Sequence, residues 1–246
     1  MDCRKIMLDQ LATDFNVIPE RLSAGKNLFS VKEYDSRKRA YENGEAMLQV
    51  LCINGIAVFN AMNEDVLEAL RKTYSDYDAA WFFDIGNFRR LDVLLRPFGQ
   101  MIASCHQYFI PGERTFSVPQ PDCDTVWYRD NELSQFRGDG RFGEALGFNA
   151  QWPDRLAVAA RLKGELLGMA AASSDSETMW QIGVDVVPNC RSRGIGTALT
   201  FLLKNRLLKD GILPFYGTAA SHIISQNVAV AAGFVPAWTE LYTKSV

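Results

Sequence analysis

The chain alternates between stretches with apolar residues three and four positions apart and short runs that are almost wholly apolar. In "DCRKIMLDQLATDF" (2–15), Ile6, Met7, Leu11 and Phe15 fall at helical spacing. "AMLQVLCINGIAVFNAM" (46–62) reads as two apolar strands around Asn54-Gly55. Both turn residues tolerate a positive φ, so the pair predicts a tight hairpin. "NEDVLEALRKTYSD" predicts a helix with Asn63 as N-cap and Val66, Leu67, Leu70 and Tyr74 on one stripe. A further helical stretch, roughly 87–109, carries Pro97 and Gly99, which should kink or split it.

The segment 110–125, with three prolines, a glycine and no periodicity, is the best domain boundary. It divides the chain into an N-terminal α/β domain, 1–118, and a C-terminal domain, 119–246. Residues 131–153 read as a short helix, a glycine-rich turn and a loop. From Asp154 the pattern sharpens. Strands are expected over 155–162, 166–174 and 179–187, a helix over 195–208, a strand over 213–220, a short helix over 221–234 and a final strand over 235–244. On the first of these helices Ile195, Ala198, Leu199, Leu202, Leu203 and Leu207 share a face. Hairpin-linked strands followed by helix–strand–helix–strand make an α/β (α+β) fold, with helices packed on a mixed, mostly antiparallel sheet.

Composition narrows the function classes. A net charge of -3 gives no electrostatic footprint for nucleic acid. The apolar runs are too short and broken to cross a bilayer, and "MDCRKIMLDQ" lacks the apolar core of a signal peptide. A soluble cytoplasmic protein is the expectation. The five cysteines are scattered without a CxxC pair, which suggests reduced, mostly buried thiols. With only His106 and His222, no metal site is expected; His106 reads as a helical core or interface residue.

One stretch asks for chemistry. In "VDVVPNCRSRGIGTAL" (184–199) an apolar strand breaks at Pro188 and hands over to a helix through two arginines and two glycines. The first N–H groups of a helix have no intrahelical partner and carry the positive end of its dipole. Gly194 and Gly196, lacking Cβ atoms, should let an anion approach the backbone, with Arg191 and Arg193 adding charge at the rim. A P-loop needs Gly-Lys-Ser/Thr, which the chain does not contain, and a dinucleotide fold needs a third glycine where Leu199 stands.

The same stretch closely resembles the coenzyme-A-binding motif of the GNAT superfamily of N-acetyltransferases, V-x-x-x-x-[RQ]-x-x-G-x-[GA]. Arg191, Gly194 and Gly196 match it. "SHIISQNVAVAAGF" resembles a later motif of that superfamily, with Ser225, Ala229, Gly233 and Phe234 in place and His222 where asparagine is usual. The order of elements is also similar. The likeness covers roughly 125–246. Residues 1–120 resemble only the N-terminal extensions of some larger members, as either a degenerate second GNAT-like lobe or a dimerisation domain, so a homodimer stays open.

What the resemblance implies is an acetyl-CoA-dependent transfer to a small-molecule or peptide amine. The pyrophosphate would sit on the backbone N–H groups of Arg193, Gly194, Ile195, Gly196 and Thr197, beside Arg191 and Ser192. The pantetheine arm would pair with an edge opened by a bulge near Val186 to Pro188, held around Val184 and Val186. The superfamily often supplies a tyrosine donor to the departing thiolate; here that position is Ala229. Ser225 is a substitute, and Tyr216 or Tyr242 could reach in, although packing suits each. Base candidates are Glu177, Asp185 and His222, each with a plain structural alternative. Tyr128, Phe136, Phe142 and Trp152 are candidates to line an acceptor site within 125–153, the region of substrate-side helices and loop. A coenzyme-A-binding regulatory protein with weak or lost catalysis is the alternative, on the missing tyrosine.

Overall fold

The structure is a computed structural model, and it describes residues 1–23, 25–44, 46–113, 117–118 and 121–246. In chain order the elements are α1 (Cys3–Asp14), β1 (Leu28–Val31), β2 (Leu48–Ile53), β3 (Ile56–Ala61), α2 (Glu64–Tyr74), α3 (Ile85–Leu95), β4 (Gln100–Pro111), β5 (Asp124–Arg129), β6 (Asp154–Leu162), β7 (Glu165–Ser173), β8 (Met179–Val186), α4 (Ile195–Lys209), β9 (Leu213–Thr218), α5 (Ile223–Ala231) and β10 (Phe234–Ser245). They group into two units: Arg4–Tyr108 with Ala237–Val246, and Met1–Cys3 with Phe109–Pro236. The grouping departs from consecutive segments 1–118 and 119–246. Residues Thr239–Tyr242 of β10 pair antiparallel with β2, which carries the end of the chain into the first unit. Part of the 110–125 segment (114–116, 119 and 120) lies outside the described residues.

The first unit is built on the hairpin. Asn54 (φ 51°) and Gly55 (φ 78°) turn β2 into β3. β1, absent from the sequence reading, joins β3 in parallel, and the strand order is β1-β3-β2-β10-β4. Asn63 caps α2, its Oδ1 accepting the Asp65 N–H at 2.7 Å. Val66, Leu67, Leu70 and Tyr74 are buried on Val50 and Phe59, as the stripe predicts. The helix expected over 87–109 is corrected: α3 ends at Leu95, Arg96–Phe98 make one 3-10 turn, and Gly99 adopts φ 66°. Pro97 and Gly99 end the helix outright, and the residues beyond them form β4. His106 therefore sits on a strand, half-buried.

A buried charge network closes this unit. Arg39 Nε donates to Asp14 Oδ2 at 2.5 Å and its Nη2 to Glu240 Oε1 at 2.6 Å. The Trp238 indole N–H and the Tyr242 hydroxyl also donate to Glu240. Tyr242, raised above as a site candidate, is thereby held in this network. The guanidinium lies 5.9 Å from the Tyr108 ring centroid and 5.6 Å from that of Trp238.

In the second unit the strand order is β9-β8-β7-β6-β5, antiparallel except for the parallel pair β8–β9. Alternation splits each strand between two cores. Leu156, Val158, Ala170, Ala172 and Ile182 face Ile195, Leu199, Leu203 and Leu207 of α4. Ala157, Ala159, Met169 and Ala171 face the other way, onto Leu133, Phe136, Phe142, Ala145 and Leu146. Phe136 and Phe142 are thus core residues rather than the lining of an acceptor site. Residues 124–129, expected among substrate-side helices and loop, instead form β5. The five cysteines are free and half-buried, more exposed than expected.

Candidate functional site

The site begins where β8 ends. Pro188–Cys190 make one 3-10 turn, Ser192 (φ 61°) and Gly194 (φ 76°) both adopt left-handed backbone, and α4 starts at Ile195. Gly194 occupies the N-cap without a capping side chain, and the helix opens with Ala198 N–H donating to the Gly194 carbonyl at 2.9 Å. The N–H groups of Ile195, Gly196 and Thr197 therefore have no helical acceptor and sit at the positive end of the helix. Arg191, Ser192, Arg193 and Gly194 are exposed. Arg191 Nε donates to the Val186 carbonyl at 3.1 Å and ties the turn to the strand.

The two glycines have different reasons. Gly194 needs its positive φ, and nothing lies within 4 Å of where its Cβ would be. Gly196 is buried, and a Cβ there would meet Val186 Cγ2 at 3.3 Å and Val184 Cγ2 at 3.9 Å. It serves the close packing of α4 on β8.

Beside this helix end, β8 loses a neighbour. Its parallel pairing with β9 runs from Met179↔Leu213 to Ile182↔Tyr216. Its antiparallel pairing with β7 continues to Gly168↔Val186, and Val187 N–H donates to the Leu167 carbonyl at 2.9 Å. In an antiparallel pair successive residues turn their N–H groups to opposite sides. With Val187 bonded to β7, the N–H groups of Val184 and Val186 turn to the side that β9 has left. The register with β7 is regular here, so the edge opens by the divergence of β9 and not by the bulge expected near Val186 to Pro188.

The side chains around this edge sort the candidates. Ser225, in the first turn of α5, lies 2.9 Å from the Tyr216 hydroxyl. Burial, reinforced by the charges of Asp185 and Glu144, pushes the Tyr216 phenol above its ordinary pKa, against the pull of the Ser225 hydrogen bond. The phenol stays protonated through the neutral range. His222 stands exposed at the N-cap of α5 and makes no side-chain cap bond. Asp185 Oδ2 accepts the N–H groups of Glu144 and Ala145 at 2.8 and 2.9 Å. Glu177 is exposed in the turn before Met179, at the other end of β8; from Met179 to Val184 alone is about 17 Å of strand. The structure thus gathers Val184, Asp185, Val186, residues 191–197 and Ser225, and leaves Glu177 apart.

One residue escaped the sequence reading. Glu144 lies in a glycine-rich turn 41 positions from Asp185, and nothing local ties the two together. Among the described residues no group of three or more His, Cys, Asp and Glu side chains is placed to hold a metal ion. No helix of the described residues is long and apolar enough to cross a membrane.

The model of the acetyltransferase (GNAT) family matches residues 125–234. No curated protein matches the chain. Among solved structures, an acetyltransferase of the GNAT family from Colwellia psychrerythraea is 13% identical, with a TM-score of 0.45 over 63% of this chain and 62% of its own. A GCN5-related N-acetyltransferase from Kribbella flavida is 19% identical, with a TM-score of 0.46 over 63% of each chain. A GCN5-related N-acetyltransferase-like protein from Streptococcus suis is 12% identical, with a TM-score of 0.49 over 98% of each. This chain therefore spans less than two thirds of the first two, and likeness at this level identifies no substrate. The family match falls on the strands and helices that build the junction described above: residues 125–234 match the acetyltransferase (GNAT) family.

Proposed function

We propose that the protein is an N-acetyltransferase that moves an acetyl group from acetyl-CoA to the amine of a small molecule or peptide. The observation that carries this reading is the departure of β9 from β8 beyond Ile182↔Tyr216, next to the uncapped N-terminus of α4. One edge offers strand-like amides and the helix end offers amides to an anion. Acetyl-CoA has both complements, an amide-bearing pantetheine arm and a pyrophosphate.

In this reading the pyrophosphate takes the N–H groups of Ile195, Gly196 and Thr197, with Arg191 and Arg193 at the rim. The pantetheine amides and the thioester carbonyl take Val184 and Val186, whose N–H groups also stabilise the oxyanion of the tetrahedral intermediate. Ser225 and His222 are contacts to the donor at the start of α5. Tyr216, hydrogen-bonded to Ser225, is the donor group nearest to hand for the departing thiolate, in place of the tyrosine that Ala229 replaces.

A thermal shift with acetyl-CoA tests the donor. Ligand at about 100 times its Kd adds about 2.7 kcal/mol of stability. Release of free thiol over a panel of primary amines tests the transfer. No shift at millimolar acetyl-CoA rules the reading out.

A further inference from the structure

Where β8 parts from β9, the backbone of another segment lies directly on it. Gly183 is the first β8 residue beyond the last β8–β9 pair. A Cβ on Gly183 would stand 2.0 Å from the Glu144 carbonyl oxygen and 3.1 Å from the Ala145 Cα. Glycine is required there by contact rather than by φ. Two residues on, the same Asp185 oxygen accepts both the Glu144 and Ala145 N–H groups. Phe142, Ala145 and Leu146 are buried beneath this segment, while Glu144 itself is exposed. Residues 142–146 are therefore fixed by apolar anchors, a paired hydrogen bond and a glycine contact, and only the Glu144 carboxylate is left outward. α4 covers the opposite face of β8, through Val184 and Val186.

Taking the proposed acetyl transfer as given, we infer that Glu144 is the general base for the acceptor amine and that Asp185 is the positioning residue that holds it at the open edge. An ammonium group gives one proton to the Glu144 carboxylate, and its nitrogen then attacks the thioester carbon. The N–C bond forms, the C–S bond breaks, and the electron pair leaves with sulfur. The nitrogen sheds its second proton as the thiolate takes one up, so one proton is released per turnover, by way of Glu144 to solvent. The amine reaches the thioester from the face of β8 that bears residues 142–146, opposite α4. Tyr216 feels the charges of both Glu144 and Asp185, consistent with both standing near the divergence point. The acceptor class is a protonated amine, which an exposed carboxylate both attracts and deprotonates.

The test uses the full chain, with acetyl-CoA binding read by thermal shift and transfer to primary amines read by thiol release. For Glu144→Gln the expected result is an unchanged acetyl-CoA shift with kcat/KM down about 100-fold at neutral pH. That deficit shrinks as the pH approaches the amine's own pKa of about 10, where solvent removes the proton. Asp185→Ala is expected to lose activity as well, and Asp185→Asn to keep most of it, because its amide oxygen still accepts both N–H groups. If Asp185 were itself the base, Asn would be as inactive as Ala, and the assignment would fall. Wild-type activity and pH profile in Glu144→Gln would overturn it too. Acetyl-CoA binding by the wild type without transfer to any amine, or the absence of any acetyl-CoA shift, refutes the acetyl-transfer reading itself, a separate and recognisable outcome.

Discussion

The Tyr216 hydroxyl and Ser225 Oγ lie 2.9 Å apart, joining the last β9 residue paired with β8 to the first turn of α5. Tyr216 is only 3% exposed, and its phenol is held protonated by burial. A protonated hydroxyl beside a departing thiolate donates a hydrogen bond to charge, worth about 1.5–3 kcal/mol. Tyr216→Phe is accordingly expected to slow thiol release by about 10-fold to 100-fold. The acetyl-CoA thermal shift should stay near that of the wild type. An unchanged rate would return Tyr216 to a packing role.

Gly194→Ala addresses the cradle alone. A left-handed residue without glycine costs roughly 1–2 kcal/mol, and Gly194 has φ 76° with open space around it. The substitution should therefore lower stability by about that amount and weaken acetyl-CoA binding through a shifted helix start. Urea unfolding and ligand titration measure the two effects. Gly196→Ala meets Val186 instead, so its cost should appear in stability first.

In the first unit, Arg39→Met should be among the most damaging single changes. It leaves Asp14 and Glu240, both fully buried, without the cation they share. Breaking a buried pair from one side costs about 3–5 kcal/mol. Denaturant unfolding reads the loss. A change under about 1 kcal/mol would mean that the network is held by Gln10, Trp238 and Tyr242 alone.

Lys204 gives a pH dependence with a defined sign. It is buried, its Nζ donates to the Ala232 carbonyl at 2.7 Å, and burial lowers its pKa below the ordinary lysine value. Between the lowered folded value and the unfolded value near 10.4, the unfolded chain binds more protons than the native one. Stability therefore rises with pH across that alkaline window. Relative to Lys204→Met, the wild type should gain stability as the pH rises toward the unfolded lysine value, in paired urea titrations. A flat difference would contradict it.

Much of the second unit was legible because its elements obey local rules. The hydrophobic period of α4, the strand runs of β6 to β8 and the Gly194 turn each carry their own signal. The cradle followed from the same residues. What was not legible depended on long-range contact. The open edge is set by where β9 stops pairing, and Gly183 reads as an ordinary strand glycine until Glu144 is seen upon it. Glu144 had no signal of its own in "GEALG". β4 was misread because "QMIASCHQYFI" is ambiguous between helix and strand, and the pattern alone does not say that Pro97 and Gly99 end the helix for good.

The return of residues 237–246 to the first unit bears on how the chain is made. Glu240, a partner of Arg39, lies 201 residues further along. During synthesis, Arg4–Tyr108 are made before their β10 strand, so the β2 edge and the buried arginine gain their partners only after residues 109–236 have been translated. That unit is therefore completed only after the segment between its two pieces has been made, a folding order set by chain connectivity rather than by local signals.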